Sequence, residues 1–218
     1  MPTDRDNAIM WARQILAQKL AVILDTETTG LNGQAEIVQI AVINIAGEIL
    51  LNSLVKPILP IPPEVTAIHG ITNAQVKDAP NWPQVYPQLQ MAVNGRTLII
   101  YNASFDQRLI YQTSKRHNLS IAAPYFNPAR VDCAMLIYSE YVGEWNNYYQ
   151  SYKWQRLEGG DHSALGDCRA TLALIKRMAA NSLESEQGPF IPVLEKVPVL
   201  VTTEEPAPQA SDTNQVEP

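Results

Sequence analysis

The stretch Leu20-Ala21-Val22-Ile23-Leu24-Asp25 constrains this chain more than any other. A short unbroken apolar run of this kind predicts a central strand of a sheet. It ends on Asp25-Thr26-Glu27. Side chains alternate along a strand, so Asp25 and Glu27 face the same way and put two carboxylates into one small space. Such groups repel unless a proton or a cation joins them. A hard divalent ion takes oxygen ligands of this type. The same spacing also admits an Asp that caps a turn over Thr26–Gly30 and a Glu in solvent.

The remaining segments predict an α/β protein. Residues 35–45 and the run 49–57 supply two further strands, with Gly47 bending the chain between them. Three strands before any long helix suggest an antiparallel meander at one side of the sheet. The proline cluster 57–63 reads as loop, and 64–76 as a short helix interrupted at Gly70. Trp82, Val85, Leu89 and Val93 fall on helical spacing and predict a helix over 82–93 that Gly95 stops. A strand follows at 97–101, then a helix over 105–118 with Ser104 as its cap. Further helices are expected over 133–142, led in by Arg130-Val131-Asp132-Cys133, and over 163–180. Asp132 reads as a helix cap. The fold class is α/β, a mixed central β-sheet flanked by α-helices.

Composition narrows the function. The chain has 218 residues, 46% apolar and 17% charged, enough for one well-buried domain. Its two cysteines, Cys133 and Cys168, cannot form a disulfide framework or a Cys-rich zinc site, which points to a reducing, cytoplasmic setting. No apolar run is long enough to span a membrane and no secretory signal is expected. No P-loop is present. The net charge of −6 is unevenly placed: residues 181–218 hold seven acids and one base, which leaves 15 of each in residues 1–180. The composition divides the chain into a globular unit, 1–180, with its ordered part starting near residue 8, and an acidic proline-containing tail, 181–218, disordered beyond about 200.

Two more acids stand at the starts of expected helices. Asp106 follows the strand 97–101 in Asn102-Ala103-Ser104-Phe105-Asp106, and Asp167 follows His162 in His162-Ser163-Ala164-Leu165-Gly166-Asp167. Each alone reads as a first-turn acid near a helix dipole, and His162 alone as a capping or surface histidine. Together, in this order, the set resembles the DEDD superfamily of 3′–5′ exonucleases, also called DnaQ-like, with an RNase H-like fold. Asp25 and Glu27 match its first motif, Asp106 its second, and His162 with Asp167 its third. Histidine five residues before the last Asp places the chain in the histidine branch, DEDDh. Glu36-Ile37-Val38-Gln39-Ile40-Ala41-Val42 and Ala67-Ile68-His69-Gly70-Ile71-Thr72 add to the likeness, which covers residues 20–178.

The resemblance implies a chemistry. Two divalent ions, Mg²⁺ or Mn²⁺, would be held by Asp25, Glu27, Asp106 and Asp167, with His162 as general base. The product would be a 5′-mononucleotide released from a single-stranded or frayed 3′ end. DNA is favoured over RNA as substrate, in proofreading or repair, because Thr26-Glu27-Thr28-Thr29-Gly30-Leu31 with Ile68-His69-Gly70-Ile71-Thr72 is most like polymerase-proofreading domains. RNA trimming and a non-catalytic scaffold of the same fold are the alternatives. The 3′-terminal nucleotide is placed near Thr26, Thr28, Gly30 and Leu31, with Leu31 either a wedge beside the base or a core leucine. His69 either lines that pocket or caps a helix. Asn102 positions the loop, and Phe105 either touches sugar or base or packs in the core. Trp154, with Lys153 and Arg156, either meets single-stranded nucleic acid or packs on Tyr148 or Tyr152. The cysteines are expected to be structural. A polymerase or sliding clamp could be reached through the tail, where 187–192 is loosely clamp-motif-like, while 189–200 is expected to pack back on the domain.

Overall fold

Strand β1, Ala21–Thr28, carries the acidic motif inside it rather than ahead of a turn at Thr26. The computed structural model, which describes residues 2–119 and 128–183, extends β1 through Thr28 because β2, Ile37–Asn44, pairs with it antiparallel along its whole length. β3, Ile49–Leu54, adds antiparallel to β2, completing the expected meander. On the other side of β1 lie β4, Thr97–Ile100, and β5, Arg130–Cys133, both parallel. The sheet order is β3-β2-β1-β4-β5, which makes β1 central and the sheet mixed.

Side-chain parity on β1 divides the core. Val22 and Leu24 face one layer with Ile40, Val42, Leu98 and Ile100. That layer is closed by α4, Trp82–Val93, and α5, Ala103–Arg116. Ala21 and Ile23 face the other layer with Ala41, Ile43 and Ile99. There the covering helices are α1, Asp4–Ala17, α6, Ala134–Val142, and α7, Ala164–Ala179. Each large aliphatic buried in these layers contributes about 1.5–3 kcal/mol. Continued along β1, the same parity puts Asp25 and Glu27 on the α7 face and Thr26 on the α5 face.

Several sequence expectations need correction. Helix α1 was not expected; its Thr3 N-cap and Asp6 form a reciprocal capping box, and Ala8, Ile9, Ala12 and Ile15 are buried, so the ordered body starts before residue 8. Ser104 does not cap α5. Asn102 holds the N-cap position, and the Ser104 hydroxyl donates to its Oδ1 at 3.2 Å. Asp132 is not a cap either: it lies on β5, where it accepts the Trp11 indole N–H at 2.8 Å and pairs with Arg130. The interruption at Gly70 is as expected. Gly70 takes φ 74° between α2, Pro63–His69, and α3, Asn73–Val76, and only glycine is comfortable there. A two-stranded hairpin, β6 Trp145–Asn146 with β7 Ser151–Tyr152, occupies a stretch whose weak periodicity gave no element. The clamp-like segment 187–192, the packing of 189–200 and the tail beyond fall outside the described residues. No helix among the described residues is long and apolar enough to cross a membrane.

A buried carboxylate ties the two sides of β2's start together. Glu36 is fully buried, and its two oxygens each accept a backbone N–H at 3.1 Å, from Ile58 and from Leu59. His117 Nε2 lies 3.4 Å away and Arg116 Nε 4.0 Å, both at the end of α5. Removing the carboxylate leaves two amides without their acceptor, so Glu36→Ala should cost about 3 kcal/mol of stability. Urea unfolding checks this, and a loss below about 1 kcal/mol would contradict the role.

Candidate active site

The end of β1, the start of α5 and the start of α7 meet at a cavity of about 340 Å³. Its walls include Asp25, Thr26, Glu27, Asp106, His162 and Asp167. One oxygen from each of Asp25, Glu27 and Asp167 lies within 4.8 Å of the others. Parity explains the trio: Asp25 and Glu27 share the α7 face of β1, and Asp167 stands in the first turn of α7. Asp106 sits on the opposite layer. It is buried, and the Thr26 hydroxyl donates to its Oδ1 at 2.6 Å. The single residue between the two β1 carboxylates thus anchors the fourth one.

Helix α7 is fixed relative to β1 by its own N-terminus. Ser163 caps it, accepting the Gly166 N–H, and the Ala164 N–H donates to Gln39 Oε1 at 3.0 Å. Gln39 is the β2 residue paired with Glu27. Asp167 Oδ1 accepts the Asp161 N–H at 3.0 Å. A Cβ at Gly160 would stand 2.7 Å from that same oxygen, so glycine there keeps the carboxylate free to take this position. His162 has a left-handed backbone, φ 58°, one residue before the cap. A non-glycine residue in that region is uncommon and costs energy, a pattern concentrated at functional sites.

The electrostatics are those of acids forced together. Burial, then Asp106, Asp167 and Glu27, raise the Asp25 carboxyl well above its ordinary range. Burial and then Asp167 push Glu27 up to about 8. Burial lifts Asp106 to about 7 against the opposing pull of the Thr26 hydrogen bond. Asp167 is also raised by burial, although the Asp161 amide and the His162 charge counter it. Among the described residues, no lysine or arginine pairs with Asp25, Glu27 or Asp167. An all-oxygen set, crowded and with no lysine or arginine paired to it, fits a divalent metal.

The other expected residues divide into two groups. Thr26, Asn102 and Phe105 line the cavity. Phe105 does so while packing against the core, and Arg108 sits over its ring at 5.2 Å. Thr28, Gly30, Leu31, His69 and Trp154 lie outside the cavity walls. The Thr28 hydroxyl donates to Gly30 O at 2.8 Å, closing the turn after β1. Leu31 is 79% exposed, so it is not a core leucine. His69 accepts the Ile71 N–H on Nδ1 at 3.0 Å, so its Nε2–H donates to Thr28 O at 3.1 Å. That neutral tautomer is reinforced by burial and by His162, both of which lower its pKa. Trp154 is 71% exposed and lines a separate groove with Tyr149 and Tyr152. The sequence did not single out Tyr101, Met135, Leu157 or Gly160 as cavity residues, or Gln39 as the tie to α7. Tyr101 donates its hydroxyl to Gln155 O at 2.8 Å, holding the 153–157 segment beside the cavity. Cys168 is buried with its thiol near Ile23 O and Ala41 O, in keeping with a structural role.

Comparison with known proteins agrees with this geometry. The RNase T family profile, described as an exonuclease, matches residues 22–175. The uncharacterized exonuclease CP81 of Escherichia phage 186 is 45% identical over 170 residues, covering 72% of this chain and 87% of that protein. A DNA polymerase III subunit epsilon-like protein of Rhodobacter capsulatus is 36% identical over 170 residues, 72% of this chain but 23% of that protein. A solved structure of exonuclease X in complex with 5′ overhanging duplex DNA matches with a TM-score of 0.50 and 31% identity, covering 75% of this chain and 95% of that one. The chain spans most of the phage protein and of exonuclease X, and under a quarter of the Rhodobacter relative. The sheet and its covering helices are those of an RNase H-like exonuclease. The chain belongs to the RNase T exonuclease family, whose DnaQ-like members hydrolyse phosphodiester bonds.

The raised carboxyls set a pH test. A folded-state pKa above the unfolded value means the folded protein holds the extra proton, so stability is greatest at low pH and falls as pH rises through the folded pKa. With Glu27 near 8 and Asp106 near 7, the metal-free protein should lose melting temperature steadily between pH 5 and 8. A divalent ion should raise it, by more at pH 8 than at pH 5. Thermal melts in chelator and in excess Mg²⁺ or Mn²⁺ measure both slopes. A metal-independent melting temperature would contradict the site.

Proposed function

We propose that this chain is a DEDDh-type 3′–5′ exonuclease acting on single-stranded or frayed DNA ends, with two Mg²⁺ or Mn²⁺ ions in its site. The observation that carries the reading is the convergence of Asp25, Glu27 and Asp167 oxygens within 4.8 Å in a cavity that His162 also lines. Asp25, Glu27 and Asp167 would hold one ion, with Asp25 shared toward Asp106 for a second. Bound there, divalent ions neutralise phosphate charge and make water a better nucleophile. His162 accepts the proton of the attacking water, a task suited to an imidazole near neutral pH. Thr26 holds the Asp106 carboxylate in place, and Gln39 holds α7, and with it Asp167, against β2.

The terminal nucleotide would sit against Thr26, Asn102 and Phe105, with Leu31 exposed beside the turn as the wedge and His69 bracing that turn through Thr28 O. DNA is favoured because exonuclease X was solved with duplex DNA and the polymerase relatives are named for DNA synthesis. The family match within residues 22–175 supports a nuclease domain in residues 1–180, followed by a tail in 181–218. A polymerase partner reached through that tail, and a cytoplasmic setting, complete the reading.

The test uses 5′-labelled oligonucleotides with Mg²⁺ or Mn²⁺. Single-stranded DNA and a mismatched duplex end should shorten one nucleotide at a time, and RNA of the same sequence should shorten more slowly. Asp25→Ala should abolish the ladder, and His162→Ala should slow it by about 10²- to 10⁴-fold. Equal degradation by the wild type and Asp25→Ala would overturn the catalytic assignment. Faster loss of RNA would transfer the substrate to RNA.

A further inference from the structure

The β6–β7 hairpin displays aromatic rings that the core does not use. Tyr148 is 86% exposed, Tyr149 72% and Trp154 71%. Exposed aromatics are costly to keep in water, and a cluster of them rimmed by polar groups marks a contact surface. The turn is closed by its own hydrogen bonds. Asn146 Oδ1 accepts the N–H groups of Tyr148 and Tyr149 at 3.0 and 3.2 Å, and Gln150 takes φ 51° to close the turn. The Tyr152 hydroxyl donates to Asp4 of α1 at 2.6 Å, which ties the hairpin to the body, and the Lys153 N–H donates to Glu144 O at 2.7 Å, which closes the hairpin at its base. Tyr148 and Tyr149 meet edge to face at 4.8 Å, while Trp154 has no ring partner among the described residues. A groove of about 520 Å³ runs between Tyr149, Tyr152, Lys153 and Trp154.

We propose that this hairpin is a stacking platform for the unpaired bases of the strand whose 3′ end lies in the catalytic cavity. The proposal rests on the exonuclease reading above and extends it to the bases upstream of the scissile bond. Continuity argues for nucleic acid as the occupant. Trp154 is two residues from Arg156, which lines the catalytic cavity, so their Cα atoms are within about 7 Å of one another. Arg156 has no ion-pair partner among the described residues, and Lys153 has only an exposed pair with Glu144 at 3.5 Å, which a phosphate can displace. Rings with adjacent cations are the combination that holds single strands without reading their sequence. A protein partner would more naturally meet a surface with no line of cations into the cavity.

The test compares kcat/KM for a dinucleotide and for an octamer of deoxythymidine with Mg²⁺. The wild type should favour the octamer by about tenfold or more, because the longer strand reaches the platform. The triple variant Tyr148→Ala/Tyr149→Ala/Trp154→Ala should cut that preference to about twofold or less, chiefly through KM. The variant Tyr148→Phe/Tyr149→Phe, which keeps the rings, should retain it. If the triple variant keeps the full preference, or the phenylalanine variant loses it, the platform is wrong while the exonuclease reading stands. If the wild type cleaves neither substrate, the exonuclease reading itself fails.

Discussion

The structure depends on how β1 resolves its own repulsion. A central strand that ends in Asp25 and Glu27 on one face would be unstable with nothing opposite them. The fold answers by bringing Asp167 alongside rather than a lysine or an arginine. The crowding then leaves a site that only a proton or a metal can satisfy. The raised Glu27 and Asp106 carboxyls are that unsatisfied demand expressed as chemistry. A stability cost is concentrated at this cluster, and the two packed layers on either side of β1 carry it.

Parity explains why the four carboxylates are not equivalent. Asp25 and Glu27 go with α7, while Asp106 arrives from the α5 layer and is reached through Thr26. Thr26 is thus more than a spacer between two carboxylates. Its hydroxyl ties β1 to α5 at the site, and its small β-branched side chain suits a buried strand position. Gln39 acts likewise from β2, turning strand register into the position of α7. The site is built on strands and helix starts, with loops only at its rim, which favours precise placement.

Much of this was legible in the sequence, and the rest was hidden for physical reasons. The apolar run before Asp25 gave β1, and Trp82, Val85, Leu89 and Val93 gave α4 at its observed bounds. The order of acids gave the family. Helix α1 was missed because its buried face is made of small and aliphatic residues within a polar, charged segment. Arg130-Val131-Asp132-Cys133 was too short to stand out as a strand, and pairing with β4 makes it one. Ser104 looked like a cap because side-chain type cannot show which residue takes the non-helical backbone, which is Asn102. Among site residues, Gln39 and Tyr101 act through hydrogen bonds across 125 and 54 residues of sequence, a separation that no local pattern reports.

The central claim is that Asp25, Glu27 and Asp167 converge to hold a divalent cation. Anomalous diffraction from crystals soaked in Mn²⁺ tests it most directly. The account predicts a peak bonded to oxygens of all three carboxylates, with a second, if present, on the Asp25 and Asp106 side. Manganese bound elsewhere, or no peak at this cluster at millimolar Mn²⁺ and neutral pH, would contradict it.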